Sequence, residues 1–192
     1  MSVIEAIRTG DEERARELAR GNPQASRERD DKGTPATLLA LYHGRTDLAR
    51  DLLPADAQLD VFEAASFGRT ERLRELLDAD PGAANAFAGD GFHPLGLACF
   101  FGHVDAARLL LERGADVNAL ARNEHIQTAA LHAAAASENK DPAVRYELCT
   151  LLLDHGADPD LRQGGGARAI DAARQNEDQR LEQLLRDRGA EH

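Results

Sequence analysis

The stretch from Gly89 to Ala119, GDGFHPLGLACFFGHVDAARLLLERGADVNA, contains a turn, a short helix, a second short helix and a glycine-closed turn in succession. Its leucines at 109–111 provide an apolar stripe for the second helix. Gly114 stands where a helix ends in a left-handed residue, a conformation that costs glycine little. This stretch decides the fold because its pattern returns along the whole chain.

The period of the pattern follows from the residue that ends each first helix, which is glycine in four of the six units. The marker positions are Gly10, Gly44, Gly68, Gly102, Glu138 and Glu177, which lie 34, 24, 34, 36 and 39 residues apart. The second half of the unit also recurs, since LLLERGADVN at 109–118 returns as LLLDHGADPD at 151–160. Spacings of this size are typical of helical solenoids and exclude the heptad of a coiled coil.

The unit resembles the ankyrin repeat. The residues that match the family pattern are Gly91, Pro94, Leu95, Ala98, Gly102, His103, Leu109, Leu110 and Gly114 to Ala119. The resemblance implies an all-α ankyrin-repeat solenoid of about six helix-turn-helix units with short β-hairpin-like fingers. We predict a single domain over 1–192, with units near 1–29, 30–60, 61–87, 88–120, 121–162 and 163–192.

Departures from the pattern carry predictions of their own. The unit between Gly44 and Gly68 is about ten residues short, which predicts a missing finger and a possible hinge near 54–61. In the fourth unit His93 replaces the usual Thr and Gly96 the usual His, so the hydrogen bond between those two side chains is lost. We therefore expect lower stability at the start of that inner helix.

Composition narrows the class of protein. The net charge of −11 disfavours nucleic acid as a partner, and no cluster of Lys and Arg offsets it. The chain has no apolar run long enough for a membrane span and no signal-like start, which predicts a cytoplasmic protein. The excess of Arg over Lys, 21 to 2, together with abundant Ala, favours a bacterial source. Cys99 and Cys149 lie in apolar helical stretches and are predicted to be reduced core residues.

The sequence offers few candidate residues for catalysis or for binding a metal or cofactor. His103 and His132 coincide with the histidine positions of the ankyrin pattern, which implies structural hydrogen bonds. His43, His93 and His125 are predicted nearer the groove, but their spacing is not that of a metal site. The glycines at 164–166 lack the Lys and Ser/Thr of a phosphate loop and are interpreted as a turn. We predict no enzymatic activity and no cofactor; a small-ligand, metal-binding or enzymatic role for the groove histidines is the alternative.

The resemblance also implies which surface is free to bind. In such units the end of the first helix, the finger and the residue after the second turn face a concave groove. The candidates at these positions are Tyr42, His43, Phe67, Phe87, Phe92, Phe100, Phe101 and Leu120. They include six of the eight aromatic residues, Phe62 and Tyr146 being the exceptions. Exposed apolar patches and aromatic side chains are typical of protein interfaces.

Two interpretations of this aromatic face remain open. Some rings are expected to cover the inner helices or to fill the gap left by the missing finger, Phe87 before the others. Otherwise the face recognises a partner protein, and the chain is a monomeric interaction module. Weak self-association through the same face is a further possibility.

Overall fold

The computed structural model describes residues 1–22, 24–53, 59–137, 139 and 141–190. Within them twelve α-helices follow one another in pairs. They are α1 Val3–Thr9, α2 Glu12–Gly21, α3 Ala36–Tyr42, α4 Thr46–Asp51, α5 Val61–Ser66, α6 Thr70–Ala79, α7 Pro94–Phe100, α8 Val104–Glu112, α9 Ala130–Ala135, α10 Pro142–Asp154, α11 Ala169–Gln175 and α12 Gln179–Asp187. Short 3₁₀ turns lie at Ala25–Arg27 and Pro81–Asn85.

Each helix pair is a hairpin, and neighbouring hairpins stack side by side. The odd-numbered helices form an inner row and the even-numbered helices an outer row. Such stacking is the arrangement of a solenoid, in which each unit buries its apolar stripe against its neighbours. The predicted all-α solenoid is confirmed. The only β-type pairing in the described residues is a bridge between Arg29 and Pro35 in the second finger.

The ends of the inner helices explain the marker positions. Gly10, Gly44, Gly68 and Gly102 all have positive φ, and Glu177 adopts the same left-handed backbone with φ 54°. A non-glycine residue can adopt this left-handed conformation at a cost in free energy. The inner helix therefore ends with the same backbone conformation at Glu177, where no glycine is present. Glu138, the remaining marker, lies outside the described residues.

The buried apolar residues form two core clusters, and the division between the clusters lies at the short unit. The N-terminal block, residues 1–53, has a cluster from Val3 to Leu52, and the C-terminal block, residues 59–190, has one from Val61 to Ala190. The inner row is most sparsely packed between α3 and α5, and the outer row between α4 and α6. The predicted hinge falls at this division, although residues 54–58 lie outside the described part of the chain.

The second and fourth fingers meet across the short unit. An ideal Cβ on Gly89 would stand 1.9 Å from the Lys32 carbonyl oxygen, so glycine is needed for this close approach. Beside it, the hydroxyl of Thr34 lies 3.4 Å from Asp90 Oδ2, and the rings of Tyr42 and Phe92 are 5.7 Å apart. Contacts between these two fingers therefore connect the two blocks on the finger side.

A buried polar pair joins the blocks at the inner helices. Thr37 Oγ1 of α3 donates to Glu63 Oε1 of α5 at 2.6 Å, and both side chains are buried. The other Glu63 oxygen accepts the backbone N–H of Asp60, which in turn caps α5. Burial raises the pKa of Glu63 above its ordinary value, with the Thr37 hydrogen bond acting in the opposite direction.

Candidate binding face

The inner helices and the fingers enclose a cavity of about 560 Å³ on the concave side of the C-terminal block. Small residues at Gly96, Ala133, Ala136 and Ala172 line it and leave the space open. Larger apolar side chains that line the same cavity are Tyr42, Phe92, Leu97, Phe100 and Ile126. The cavity is thus a mostly apolar concavity of the size range found for ligand and side-chain pockets.

Three of the eight predicted binding residues come together at this cavity. Tyr42 ends α3, Phe92 belongs to the fourth finger, and Phe100 ends α7. The Tyr42 and Phe92 rings are tilted at 58° to each other, and Phe100 lies edge-on to Phe101 with centroids 5.2 Å apart. Residues far apart in sequence therefore meet because the second and fourth fingers are in contact.

Phe67 and Phe101 occupy a different environment. Both rings are half-buried and pack against the N-terminal core cluster, as do Tyr42 and Phe62, the latter of which contacts both clusters. Neither Phe67 nor Phe101 lines the concave cavity. Their placement favours the interpretation in which aromatic rings fill the gap beside the shortened unit.

Phe87 and Leu120 line a second cavity, of about 410 Å³, below the fourth finger. The guanidinium of Arg122 lies 3.9 Å from the centre of the Phe87 ring, a cation–π arrangement that occupies one ring face. Leu120 is 36% exposed. His43 caps the end of α3, is exposed and lines neither of these two cavities.

The fourth unit replaces its missing hydrogen bond in an unexpected way. His93 is the N-cap of α7, and its Nδ1 accepts the backbone N–H of Gly96 at 3.1 Å. The side chain therefore satisfies a free N–H of the first helical turn, as the usual Thr would. The expectation of a weakened helix start omitted this bond because sequence patterns rarely place His at such a position.

Two further histidines join neighbouring units through backbone carbonyls. His103 Nε2 lies 2.9 Å from the oxygen of Ser66, and His132 Nε2 lies 3.1 Å from the oxygen of Ala167. The structural hydrogen bonds implied for these residues are present. Burial lowers the pKa of His93, His103 and His132, because removal from water disfavours the charged imidazolium.

The charged side chains at the concave cavity are already engaged. Arg168 is paired with Asp160 at 2.9 Å, and Asp171 accepts the Arg168 backbone N–H at 2.8 Å. Asp171 is also within 3.5 Å of Arg174. Among the side chains placed by the structure, no group of three or more His, Cys, Asp and Glu converges on a possible metal position.

Both cysteines and the first residues of α10 lie in environments that their residue types favour. Cys99 and Cys149 are buried and unpaired with each other, and burial raises the pKa of the Cys149 thiol to about 12. Asp141 caps α10 by accepting the N–H of Ala143, and Pro142 occupies the first turn. Asp141 and Pro142 are therefore residues that favour the start of this helix.

Sequence reasoning missed Ile126, which is 52% exposed and lines the concave cavity from the fifth finger. The signal available was an isolated aliphatic residue in the polar run RNEHIQT at 122–128. His125, the neighbouring residue, also lines the cavity and is exposed, whereas His93 is buried in its wall.

These features define a helical-repeat solenoid with an open concave face. A family model for ankyrin repeats in three copies matches residues 61–163. The chain belongs to the ankyrin-repeat family, whose repeats are generally protein–protein interaction modules. Within the described residues, no helix is both long and apolar enough to cross a bilayer.

Curated relatives share the repeat region. The chain is 35% identical over 113 residues to ankyrin repeat and SAM domain-containing protein 6 of Mus musculus and of Rattus norvegicus. That match covers 58% of this chain and 12% of each relative. A third relative, leucine-rich repeat serine/threonine-protein kinase 1 of Mus musculus, is 35% identical over 159 residues, or 75% of this chain and 7% of the relative. The chain therefore spans only a small part of these relatives.

Proposed function

We propose that this chain is a non-enzymatic interaction module that binds another protein through the concave face of its middle units. Tyr42, Phe92 and Phe100 form the centre of the binding surface, and the partner inserts apolar side chains between them. The observation that carries the proposal is the open cavity of about 560 Å³ beside these rings.

The chemistry of the cavity favours an apolar anchor. The carboxylate of Asp171 and the guanidinium of Arg168 are both held by neighbours, so a charged group entering the cavity finds no uncompensated charge. Aromatic and aliphatic side chains, in contrast, remove apolar surface from water on both partners. The net charge of −11 disfavours nucleic acid and favours basic residues around the partner's apolar anchor.

The remaining predicted residues have secondary roles in this proposal. Phe87 and Leu120 lie at the second cavity and extend the contact beyond the centre. His43 is at the rim, while Phe67 and Phe101 support the face from the junction between the blocks. The sequence predictions of a bacterial source, a cytoplasmic location and a monomeric state accompany the proposal.

The test uses Phe92→Ala and Phe100→Ala, singly and combined, with Tyr146→Ala as the matched control. Tyr146 is a half-buried aromatic on the outer helix α10, with Arg180 stacked 3.9 Å from the ring centre. Each variant is used for affinity capture from the native host, and captured proteins are then titrated by calorimetry. Circular dichroism checks that the variants remain folded.

We expect the combined variant to lose its partner and each single variant to bind about thirtyfold more weakly or worse, since central aromatics contribute about 2 kcal/mol or more. Tyr146→Ala should bind like the wild type. Unchanged capture by the folded double variant would rule out the aromatic centre. Sedimentation at several concentrations would reveal the alternative in which a second copy occupies the face.

A small apolar ligand is the second candidate, because about 560 Å³ lies within the range of small-molecule pockets and His93 and His125 line it. Native mass spectrometry of the purified protein, with metal analysis of the same sample, tests it. A bound compound or ion that disappears from Phe92→Ala/Phe100→Ala would favour this candidate.

A further inference from the structure

We infer that His93 is a proton-sensitive element in the wall of the concave cavity, which holds the cavity in shape only while its imidazole is neutral. This proposal concerns regulation of the face described above, and its link to partner binding rests on the proposed function. Its structural part, a cap that opens on protonation, stands independently of any partner.

The position of His93 is the first observation. Its side chain is 4% exposed and lines both the concave cavity and the second cavity below the finger. The Phe87 ring lies edge-on to the imidazole with centroids 6.0 Å apart, and Phe92 directly precedes His93 in the chain. The imidazole is therefore part of the wall of both cavities, and any movement of it changes the shape of both.

The hydrogen bond of His93 selects one protonation state. Nδ1 accepts the Gly96 N–H at 3.1 Å, so this nitrogen carries no proton and the neutral ring is protonated at Nε2. A second proton would have to bind at Nδ1, where it would point at another donor. Protonation thus removes the cap of α7 and leaves the Gly96 N–H without this acceptor.

The surroundings of His93 oppose the charged state on balance. From the turn after α8, the Ala119 carbonyl and the Asp116 carboxylate raise the pKa, but burial has the larger effect and lowers it. Arg122 also faces the second cavity, and Tyr42, His125, His132, Arg168 and Asp171 line the concave one. Burial likewise lowers the pKa of His132, while the Arg168 guanidinium pairs with Asp160 and the Asp171 carboxylate accepts the Arg168 backbone N–H.

The sign of the resulting pH dependence follows from linkage. Because the folded pKa of His93 lies below the ordinary value of 6.5, the unfolded chain binds more protons between those two values. The contribution of His93 is complete above pH 6.5 and decreases as the pH falls towards the folded pKa. His103 and His132 act in the same direction, so the effect of His93 must be separated by substitution.

The test compares wild type, His93→Asn and His125→Asn by urea unfolding at pH 7.5 and pH 5. Asn is a favoured N-cap and can accept the Gly96 N–H without titrating. His125→Asn removes an imidazole from the same cavity without touching the cap. Nitrogen-15 NMR of the imidazoles reports the tautomer of His93 and its titration in the folded protein.

We expect the drop in the urea midpoint between pH 7.5 and pH 5 to be smaller in His93→Asn than in wild type and His125→Asn. The NMR spectra should show the Nε2-protonated form of His93 at pH 7.5. An unchanged drop in His93→Asn, or a proton on Nδ1 at pH 7.5, would overturn the proposal. Neither measurement involves a partner, so the proposed function survives that failure.

A binding measurement tests the regulatory part of the proposal, with a partner protein that the wild type has captured. Its affinity should decrease from pH 7.5 to pH 5.5 for wild type and decrease less for His93→Asn. Equal losses in both proteins would show that the cap does not regulate the face. If instead the aromatic variants fail to alter binding while the stability arm succeeds, only the proposed function is lost.

Discussion

The two blocks of the solenoid use the same helical hairpin but hold their hairpins together differently. In the C-terminal block, Asn85 bridges to the next unit, donating to the Gly114 carbonyl at 2.9 Å and accepting the Asp116 N–H at 2.7 Å. Asn118 repeats this bridge to the unit that follows, with the Gly156 carbonyl and the Asp158 N–H. In both bridges an asparagine side chain binds the backbone of the next unit at a glycine carbonyl and at the N–H two residues further on.

In the N-terminal block, arginine side chains connect the two units. Arg16 pairs with Glu12 and Asp51, and Arg8 reaches Asp30 and Asp31. Arg45 also donates to the Ile7 carbonyl. At least one side chain in each of these ion pairs is substantially exposed, so solvent screens the attraction and each pair contributes little to stability. Arginine pairs also join units of the C-terminal block, as in Arg113–Asp78 and Arg188–Asp154, so the asparagine bridges there add to ion pairs of the same kind. We therefore expect the N-terminal block to be the less stable of the two.

The largest effect is expected from a register-matched pair of core substitutions, Leu110→Ala and Leu52→Ala. Both leucines follow their marker glycine by eight residues and are at most 1% exposed. Each truncation should cost about 3 kcal/mol, since it removes buried methyl groups and leaves a cavity. Hydrogen exchange during urea unfolding shows which helices lose protection in each variant.

We expect Leu52→Ala to release the amides of α1 to α4 while α7 to α10 stay protected. Leu110→Ala should lower the midpoint of the main transition. If both variants instead unfold in one transition with uniform loss of protection, the two blocks are one cooperative unit and the comparison does not hold.

Thr37→Val tests the buried pair at the junction and is expected to cost about 2 kcal/mol at pH 7.5, because it leaves a buried carboxylate without its side-chain donor. The Thr37 bond lowers the pKa of Glu63 against the effect of burial, so its removal should raise that pKa further. A carboxylate with a raised folded pKa costs stability above that pKa, and the cost disappears as the pH falls towards the ordinary value of 4.5.

The deficit of Thr37→Val relative to wild type should therefore shrink on acidification. Urea unfolding from pH 7.5 to pH 5 measures it, and the histidine contributions cancel in the difference. Glu63→Gln serves as the control, since Thr37→Val in that background should show no such pH dependence. A deficit that is constant with pH would contradict the role assigned to the Glu63 charge.

The smallest effect is expected from Gly89→Ala, at about 1–2 kcal/mol, because the new Cβ must push the Lys32 carbonyl and separate the second and fourth fingers. Gly165→Ala is the matched control, since an added Cβ there meets nothing within 4 Å. Hydrogen exchange should increase in the fingers near residues 28–35 and 86–93, and remain unchanged in α10 to α12. Equal melting temperatures for the two variants would show that the finger contact is dispensable.

Periodicity predicted most of the fold, because helix ends and apolar stripes are local properties of the chain. Gly102 and Glu177 illustrate the limit of this reasoning, since they end equivalent helices with similar backbone conformations despite different side chains. The candidate face was predicted less completely. Position within the repeat selected Tyr42, Phe92 and Phe100, which line the concave cavity, and equally Phe67 and Phe101, which do not line it.

Local sequence specifies the repeat and its helical hairpins, since 3.6-residue periodicity and turn residues act over a few neighbours. The positions expected to face the groove came from the resemblance to the ankyrin repeat. Which rings line the concave cavity follows instead from the tertiary structure. The placement of the rings accompanies the contact between the second and fourth fingers and the division of the core at the short unit. These are long-range packing effects, and no local pattern in the chain specifies them.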